Sequence, residues 1–300
     1  MSTEPALPNK ISLVMRSYNE AWAIQDTLTQ VFAQDYSGEI ELIVIDSGST
    51  DGSHAIIESF HPKEFIILEP GTYVPGVVLN RGFQLATAEW VVFLNSDATP
   101  VNDQWLSSLL KAAIKCPKPG ALFSRQVPRA DCQAVFAHDY DRCFGPNRES
   151  ANWDHFFSMV SCIAAKSLGL EHPIREDLQY AEDDEWTRRL VALGYRVDLV
   201  PESQVIHSHN YTPAQAYKRA MGDAIAVAQA GNIKDEKRAW HRDVFLPACK
   251  DLVRDFKYCA QHGALTELIH AFRVRYQQRL GRMHGYDEGI RRLKARQSST

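Results

Sequence analysis

From residue 11 to residue 97 the chain repeats one unit: a short β-rich run, a turn of small, acidic or amide residues, then an apolar helical period. Ile11 to Arg16 ends in Ser17-Tyr18-Asn19-Glu20, and Ala23 to Phe32 follows with helical spacing. Ile40 to Ile45 ends in Asp46-Ser47-Gly48-Ser49-Thr50-Asp51-Gly52, ahead of a helix over Ser53 to Phe60. Phe65 to Leu68, a segment from Val77 to Ala86, and Trp90 to Leu94 ended by Asn95-Ser96-Asp97 complete the series. Strands alternating with helices predict a parallel sheet covered on both faces, so the expected class is α/β. Ligands of such sheets bind beyond the carboxyl ends of the strands, where these turns lie.

The turns exclude two common chemistries. No GxGxxG follows the first strand, and neither GxxxxGKS nor GxxxxGKT occurs, so hydride transfer and P-loop phosphoryl transfer lose their usual support. The turns offer carboxylates at strand ends instead. Asp97 suits a hard divalent cation that also holds a diphosphate. Asp46 suits hydrogen bonds from a nucleobase or ribose, or equally a structural place in the turn ahead of the Ser53 helix.

Further on, Ala181-Glu182-Asp183-Asp184-Glu185-Trp186 sets four carboxylates in a row, opening an apolar helical period through Leu190 and Leu193 that stops at Gly194. A helix start favours anions through its dipole, although such runs are also ordinary solvated surface. Ile206-His207-Ser208-His209 follows an extended run from Asp198, and residues two apart on a strand point the same way.

In this order the motifs resemble the family 2 glycosyltransferases of GT-A fold, over roughly residues 10 to 220. Arg16-Ser17-Tyr18-Asn19-Glu20 and Val44-Ile45-Asp46-Ser47-Gly48-Ser49-Thr50-Asp51-Gly52 look like the first two nucleotide-binding turns. Leu79-Asn80-Arg81-Gly82 and Phe93-Leu94-Asn95-Ser96-Asp97-Ala98 look like the third turn and the metal motif. The acidic run resembles the catalytic motif, and Val205-Ile206-His207-Ser208-His209 the late histidine motif. Arg125-Gln126-Val127-Pro128-Arg129 and the wording around Glu182 and His207 resemble a bacterial subgroup containing rhamnosyltransferases.

The resemblance implies an inverting glycosyltransferase with a Rossmann-like, mostly parallel sheet over residues 11–212, a nucleotide-sugar half to residue 100, an acceptor half beyond it, and a helical C-terminal extension from 213. It implies a nucleoside-diphosphate donor, dTDP-rhamnose or a UDP-sugar, and a hydroxyl of a glycan or lipid-linked glycan as acceptor in cell-surface polysaccharide synthesis. Asp183 is the expected general base, with Glu182 and Asp184 tuning it upward against the helix dipole. Donor contacts are expected from Arg16, Tyr18, Asn19, Glu20, Asp46, Ser47, Gly48, Asn80, Arg81, Asn95, Ser96 and Asp97, and acceptor contacts from Ser161 and Trp186, the latter also readable as core. Asp97, His207 and His209 are the expected ligands of Mn2+ or Mg2+. Many relatives begin the metal motif with an acidic residue, and this chain has Asn95; a metal-independent site with histidine donors to the leaving phosphate is the competing reading, and a nucleotide-sugar binder without turnover the competing function. Arg125 and Arg129 read equally as phosphate partners or as solvated loop.

Net charge divides the chain. Residues 231–300 carry 15 Lys+Arg against 8 Asp+Glu, leaving −11 on residues 1–230 of a chain of net −4. Leu265, Leu268, Ile269, Phe272, Tyr276, Leu280 and Met283 recur at helical spacing, with Arg273, Arg275, Arg279 and Arg282 largely off that stripe. This predicts either a helix packed on the catalytic domain with a basic outer face, or an interfacial helix against anionic lipid. No nucleic-acid reading motif accompanies the basic tail. The polar first ten residues lack the apolar core of a signal peptide, and six cysteines without metal spacing suit a reduced interior, so the expected location is the cytoplasm or the inner face of the plasma membrane.

Overall fold

A computed structural model describes residues 6–229 and 236–297, so the expected break at Gly231-Asn232 lies outside the described residues. The repeated units form β1 (Lys10–Ser17), α1 (Ala21–Phe32), β2 (Glu39–Asp46), α2 (Ser53–Ser59), β3 (Glu64–Ile67), α3 (Pro75–Leu85) and β4 (Trp90–Asn95). In the order β3-β2-β1-β4 these four strands pair in parallel, as the alternation predicts. Ile11 to Met15 and Val91 to Leu94 are buried at every position, the signature of strands covered on both faces. Gly82 is the residue that lets α3 lie so close to the sheet: a Cβ there would stand 2.7 Å from the Val14 side chain. Glu41, buried in β2, accepts from the Thr87 backbone at 2.9 Å and hydroxyl at 2.7 Å, and from Ser12 and Lys63, tying the end of α3 to the sheet.

β5 (Thr99–Pro100), α4 (Trp105–Lys115), β6 (Pro119–Val127), α5 (Ala134–Phe144), β7 (Ser161–Ala165), α6 (Lys166–Glu171), α7 (Glu182–Ala192) and β8 (Arg196–Ile206) follow, completing eight strands in the order β3-β2-β1-β4-β7-β6-β8-β5. In this part of the sheet β6 and β8 also pair in parallel. The remaining pairings are antiparallel, β7 with both β4 and β6, and β5 with β8, so the sheet is mixed. A buried apolar run such as Ser161–Ala165 looks the same in sequence whichever way it points.

Two compact units share the chain. The first comprises the residues up to Val127, Ser150–Leu178 and Glu182–His207, and holds the sheet. The second gathers Pro128–Glu149, Gln179–Ala181 and the residues from Ser208 on. This division places Pro128–Glu149 with the residues from Ser208 on, a different partition from the expected boundary at 212/213.

That second unit is built from α5, α8 (Pro213–Gln229), a single π turn at His241–Phe245, α9 (Leu246–Gln261) and α10 (Leu268–Gln297). α10 lies along α8 through small residues, Gly289 approaching the Ile225 carbonyl to where a Cβ would sit 2.8 Å away, and Gly281 and Gly285 closing in on Tyr217 and Met221. The packed face of α10 is therefore Ala271, Val274 and Arg275, all buried, while Ile269 of the expected stripe is 77% exposed. Arg275, expected off the packed stripe, turns inward to Asp255 at 2.8 and 2.9 Å and to Asp139 at 2.7 Å. No described helix is long and apolar enough to cross a membrane.

Candidate active site

The register of β1 on β4 sets Arg16 opposite Asn95, so two of the motif turns meet at the carboxyl edge of the sheet. Arg16 donates to Asn95 Oδ1 at 2.8 Å and to the Tyr73 hydroxyl at 3.3 Å. Burial works against the guanidinium's charge, but Tyr73, Glu182 and Asp183 outweigh it and raise the pKa. The strand end is closed by Ser96 N–H donating to the Arg16 carbonyl at 3.0 Å. Beside it Glu20 accepts from the Ser96 hydroxyl. Burial first, and then the neighbouring Asp97 charge, push Glu20 up to about 7.

The second turn is organised around Asp46, which is fully buried. Its Oδ1 accepts from Gly48 N at 3.0 Å, Ser49 N at 2.7 Å and the His54 ring at 2.8 Å, and its Oδ2 from the Ser49 hydroxyl at 2.6 Å. These donors outweigh burial and hold the carboxyl below its usual range. Ser47 N–H bonds to the Ser17 carbonyl at 2.9 Å, and Asn19, at φ +54°, links the two turns by accepting from Thr50 N at 2.8 Å. Tyr18 is left 58% exposed over this edge.

The four-carboxylate run opens α7, and the helix sorts its members. Asp184 pairs with Arg188 and Glu185 with Arg189, each at 2.8 Å one turn along. Glu182 and Asp183 instead lie in the field of Arg16. Asp183 accepts from the Asp184 backbone N–H at 2.9 Å. Burial raises its pKa against the pull of that bond and of Arg16, with Asp184 adding to the rise. The residue before the run, Ala181, holds φ +54°, a left-handed conformation that costs a non-glycine residue energy.

Asp97 is 1% exposed, with His207 Nε2 standing 3.6 Å from its Oδ1. The other imidazole nitrogen, Nδ1, lies 2.8 Å from Gln126 Oε1, and Gln126 Nε2 donates to the Ser158 hydroxyl at 2.7 Å. With the amide oriented by Ser158, Nδ1 is the nitrogen that donates to Gln126, and Nε2 is turned to the Asp97 side.

The family model for glycosyl transferase family 2 matches residues 12–163, just over half of the chain. The chain belongs to glycosyltransferase family 2. Over 226 residues it is 28% identical to the O-antigen chain rhamnosyltransferase WbaN of Salmonella anatum, covering 69% of each chain. Over 221 residues it is 23% identical to the O-antigen chain rhamnosyltransferase RfbN of Salmonella typhimurium, covering 70% of each. Its fold is similar to that of the Pyrobaculum calidifontis mannosyltransferase PcManGT in complex with GDP-Man and Mn2+, with TM-score 0.61, 20% identity, and 93% and 86% of the two chains covered. It is also similar to glucosyl-3-phosphoglycerate synthase of Mycobacterium tuberculosis in complex with Mn2+, UDP and phosphoglyceric acid, with TM-score 0.57, 19% identity, and 76% and 80% covered. The fold is GT-A.

In this glycosyltransferase several expected site residues have other occupations. Asn80 clamps the segment after α6: its amide donates to the Ile174 carbonyl at 2.8 Å and Glu176 at 2.9 Å, and accepts from Ile174 N at 2.9 Å. Both amide hydrogens are thereby engaged within the chain. Trp186 is fully buried, donates to the His172 carbonyl at 2.7 Å and packs on Phe83. Ser161 is buried in a cluster with Trp105 Nε1 at 2.9 Å and Ser124 at 2.7 Å. Arg81 is exposed on α3, and Arg125 is half-buried in β6. His209, in the second unit, lies 5.6 Å from the Tyr211 ring, centroid to centroid.

Asp97 and His207 together make a donor set that fits a divalent cation: a buried carboxylate facing an imidazole nitrogen, with the far nitrogen held by an amide. Gln126 and Tyr73 join the site without having been singled out from sequence. Gln126 sits between the two arginines of Arg125-Gln126-Val127-Pro128-Arg129, which drew attention for their charge.

Proposed function

We propose that this glycosyltransferase transfers a sugar from a nucleoside-diphosphate donor to a hydroxyl of a glycan or lipid-linked glycan of the cell surface, with inversion. The single observation that carries the reading is the sorting of the α7 carboxylates: Asp184 and Glu185 are taken by arginines of their own helix, while Asp183 is held with a raised pKa in the field of Arg16. A base must be ionised yet basic enough to accept a proton, and burial balanced by one cation produces that state.

Asp183 takes the acceptor hydroxyl proton as the new bond to the anomeric carbon forms and the bond to the donor phosphate oxygen breaks. Asp97 and His207 would hold Mn2+ or Mg2+. The cation, when bound, neutralises the charge that develops on the leaving diphosphate. The turns at Arg16–Glu20 and Asp46–Gly48 hold the nucleotide through backbone groups and the exposed Tyr18, since the Asp46 carboxylate is given over to its own turn. Ser96 and Glu20 brace the Asp97 loop beneath the diphosphate. The two relatives named as O-antigen chain rhamnosyltransferases favour a rhamnosyl donor, for which dTDP-rhamnose is the candidate expected from the sequence resemblance, with a UDP-sugar as the alternative.

A panel of nucleotide sugars incubated with the protein, with Mn2+ or with EDTA, tests the reading. dTDP-rhamnose is expected to release nucleoside diphosphate in Mn2+ and not in EDTA, and NMR of the transferred sugar to show inverted anomeric configuration. Release of diphosphate from no donor would overturn it.

A further inference from the structure

α9 is turned inside out. Its protein-facing side carries Asp251 and Asp255, 3% and 1% exposed, and the side turned to solvent carries Leu246, Val253 and Phe256, 60%, 58% and 52% exposed. The inward carboxylates are fully engaged: Asp255 with Arg275 and with His138 at 2.8 Å, Asp251 with Arg254 and with Arg279 at 2.7 Å. Spacings of 3 and 4 residues line Leu246, Cys249, Val253, Phe256 and Ala260 along one helix face. A helix that buries its ions and exposes its apolar residues leaves the hydrophobic contribution of that face unused in the folded chain.

The exposed face is continued by the start of α10. Leu252, Val253 and Phe256 with Leu268, Ile269 and Phe272 line an open groove of about 530 Å³, and Arg273 stands at its rim. Lys250 and Lys257, seven residues apart and both exposed, run along one border of the α9 face. From Leu246 to Arg273 the exposed charged residues are Lys250, Lys257 and Arg273, all cationic, because the acidic residues of this stretch are Asp251 and Asp255, buried and paired, and Glu267, which accepts from Ala134 N at 2.7 Å.

We propose that the outer face of α9 and the first turns of α10 dock on an anionic lipid bilayer, Val253, Phe256 and Ile269 entering the acyl boundary and Lys250, Lys257 and Arg273 meeting the headgroup charges. An apolar arc with a purely cationic border is complementary to such a surface on both counts. This deepens the acceptor reading by placing the enzyme where lipid-linked glycans are found, and rests on that reading only for its purpose. It keeps the start of the stripe expected from sequence, Leu268, Ile269 and Phe272, and joins it to residues of α9.

Co-sedimentation of the full chain with phosphatidylcholine vesicles, with and without phosphatidylglycerol, tests it. The protein is expected to sediment with the anionic vesicles alone, and to release them at high salt. Val253→Glu/Phe256→Glu should lower the partition coefficient at least about tenfold, and Lys250→Glu/Lys257→Glu by at least about fivefold per lysine, with melting temperature and donor hydrolysis unchanged. The proposal is overturned by absence of binding to anionic vesicles, or by wild-type binding in both double variants. A dimer that Val253→Glu/Phe256→Glu dissociates, in a protein that ignores vesicles, would assign the face to a second copy of the chain and likewise overturn it. Vesicle binding without hydrolysis of any nucleotide sugar would sink the transfer reading and leave this one standing.

Discussion

Arg16 and Asn95 stand opposite each other at the carboxyl ends of β1 and β4, the guanidinium donating to the amide oxygen at 2.8 Å. A neutral amide holds the arginine without cancelling its charge, so that charge acts on Glu182 and Asp183. Asn95, where an acidic residue was the expectation, thus keeps the Arg16 charge available to Asp183, the proposed base.

Asn95→Asp would pair Arg16 locally and weaken its pull on Asp183, raising the carboxyl's pKa further. The base works ionised, so the acid limb of kcat/KM should move to higher pH, and Arg16→Gln should move it in the same direction. Matched pH–rate profiles read this directly; limbs that stay with the wild type in both variants contradict the coupling.

Asp183→Asn keeps the shape that accepts the Asp184 N–H and removes the proton acceptor. Turnover should fall by about 10²–10⁴-fold while donor affinity, read by calorimetry, stays within a few-fold. Asp184→Asn should cost far less, since Asp184 is engaged with Arg188.

Gln126→Leu removes the amide oxygen that accepts from His207 Nδ1. Mn2+ affinity, followed by the electron paramagnetic resonance of the unbound ion, should weaken about 10–100-fold, with Asp97→Asn weakening it more. EDTA should abolish turnover and added Mn2+ restore it. Equal Mn2+ affinity in Gln126→Leu and wild type would remove Gln126 from that role.

Glu41 ties β2 to the end of α3, and burial that opposes its charge is outweighed by Lys63, Ser12 and Thr87, lowering its pKa to about 2. A depressed carboxyl stabilises the fold fully above its unfolded pKa and loses that contribution as pH falls toward the folded value. Between roughly pH 5 and pH 2 the chain should therefore lose on the order of 2–3 kcal/mol through this group alone. Urea denaturation across that range checks it, with Glu41→Gln expected to be less stable at neutral pH and flatter in acid.

Arg275 is buried against Asp255 and Asp139. Arg275→Met strands the Asp255 carboxylate in the interior and should cost about 3–5 kcal/mol, read from the denaturation midpoint. A variant at wild-type stability would mean water already reaches the pair.

Much of the first half could be read from sequence because its signals are local. β-rich runs, helical periods and turns of Ser, Asn, Asp and Gly recur at the strand ends, and β1 to β4 formed where they were expected, within a residue or two. The order of the motifs pointed to the family before any contact was known. What could not be read there was decided between segments distant along the chain. The direction of β7 depends on the route the chain takes to reach the sheet, and the burial of Trp186 and Ser161 on what packs over them. Asn80 was given to Ile174 by a contact 94 residues away.

The same division holds for the site and for the last helices. Sequence determined that four carboxylates open one helix, with Arg188 and Arg189 one turn along from Asp184 and Glu185, and that a histidine motif follows; only the tertiary structure set the other two carboxylates in the field of Arg16 and an amide beside His207. Composition determined that the C-terminal stretch is basic and amphipathic, but periodicity assigns an apolar stripe to the interior by default. In α9 that default fails, because arginines from α10 satisfy Asp251 and Asp255 inside and leave Val253 and Phe256 outside, a pairing between helices that no pattern within one helix can contain.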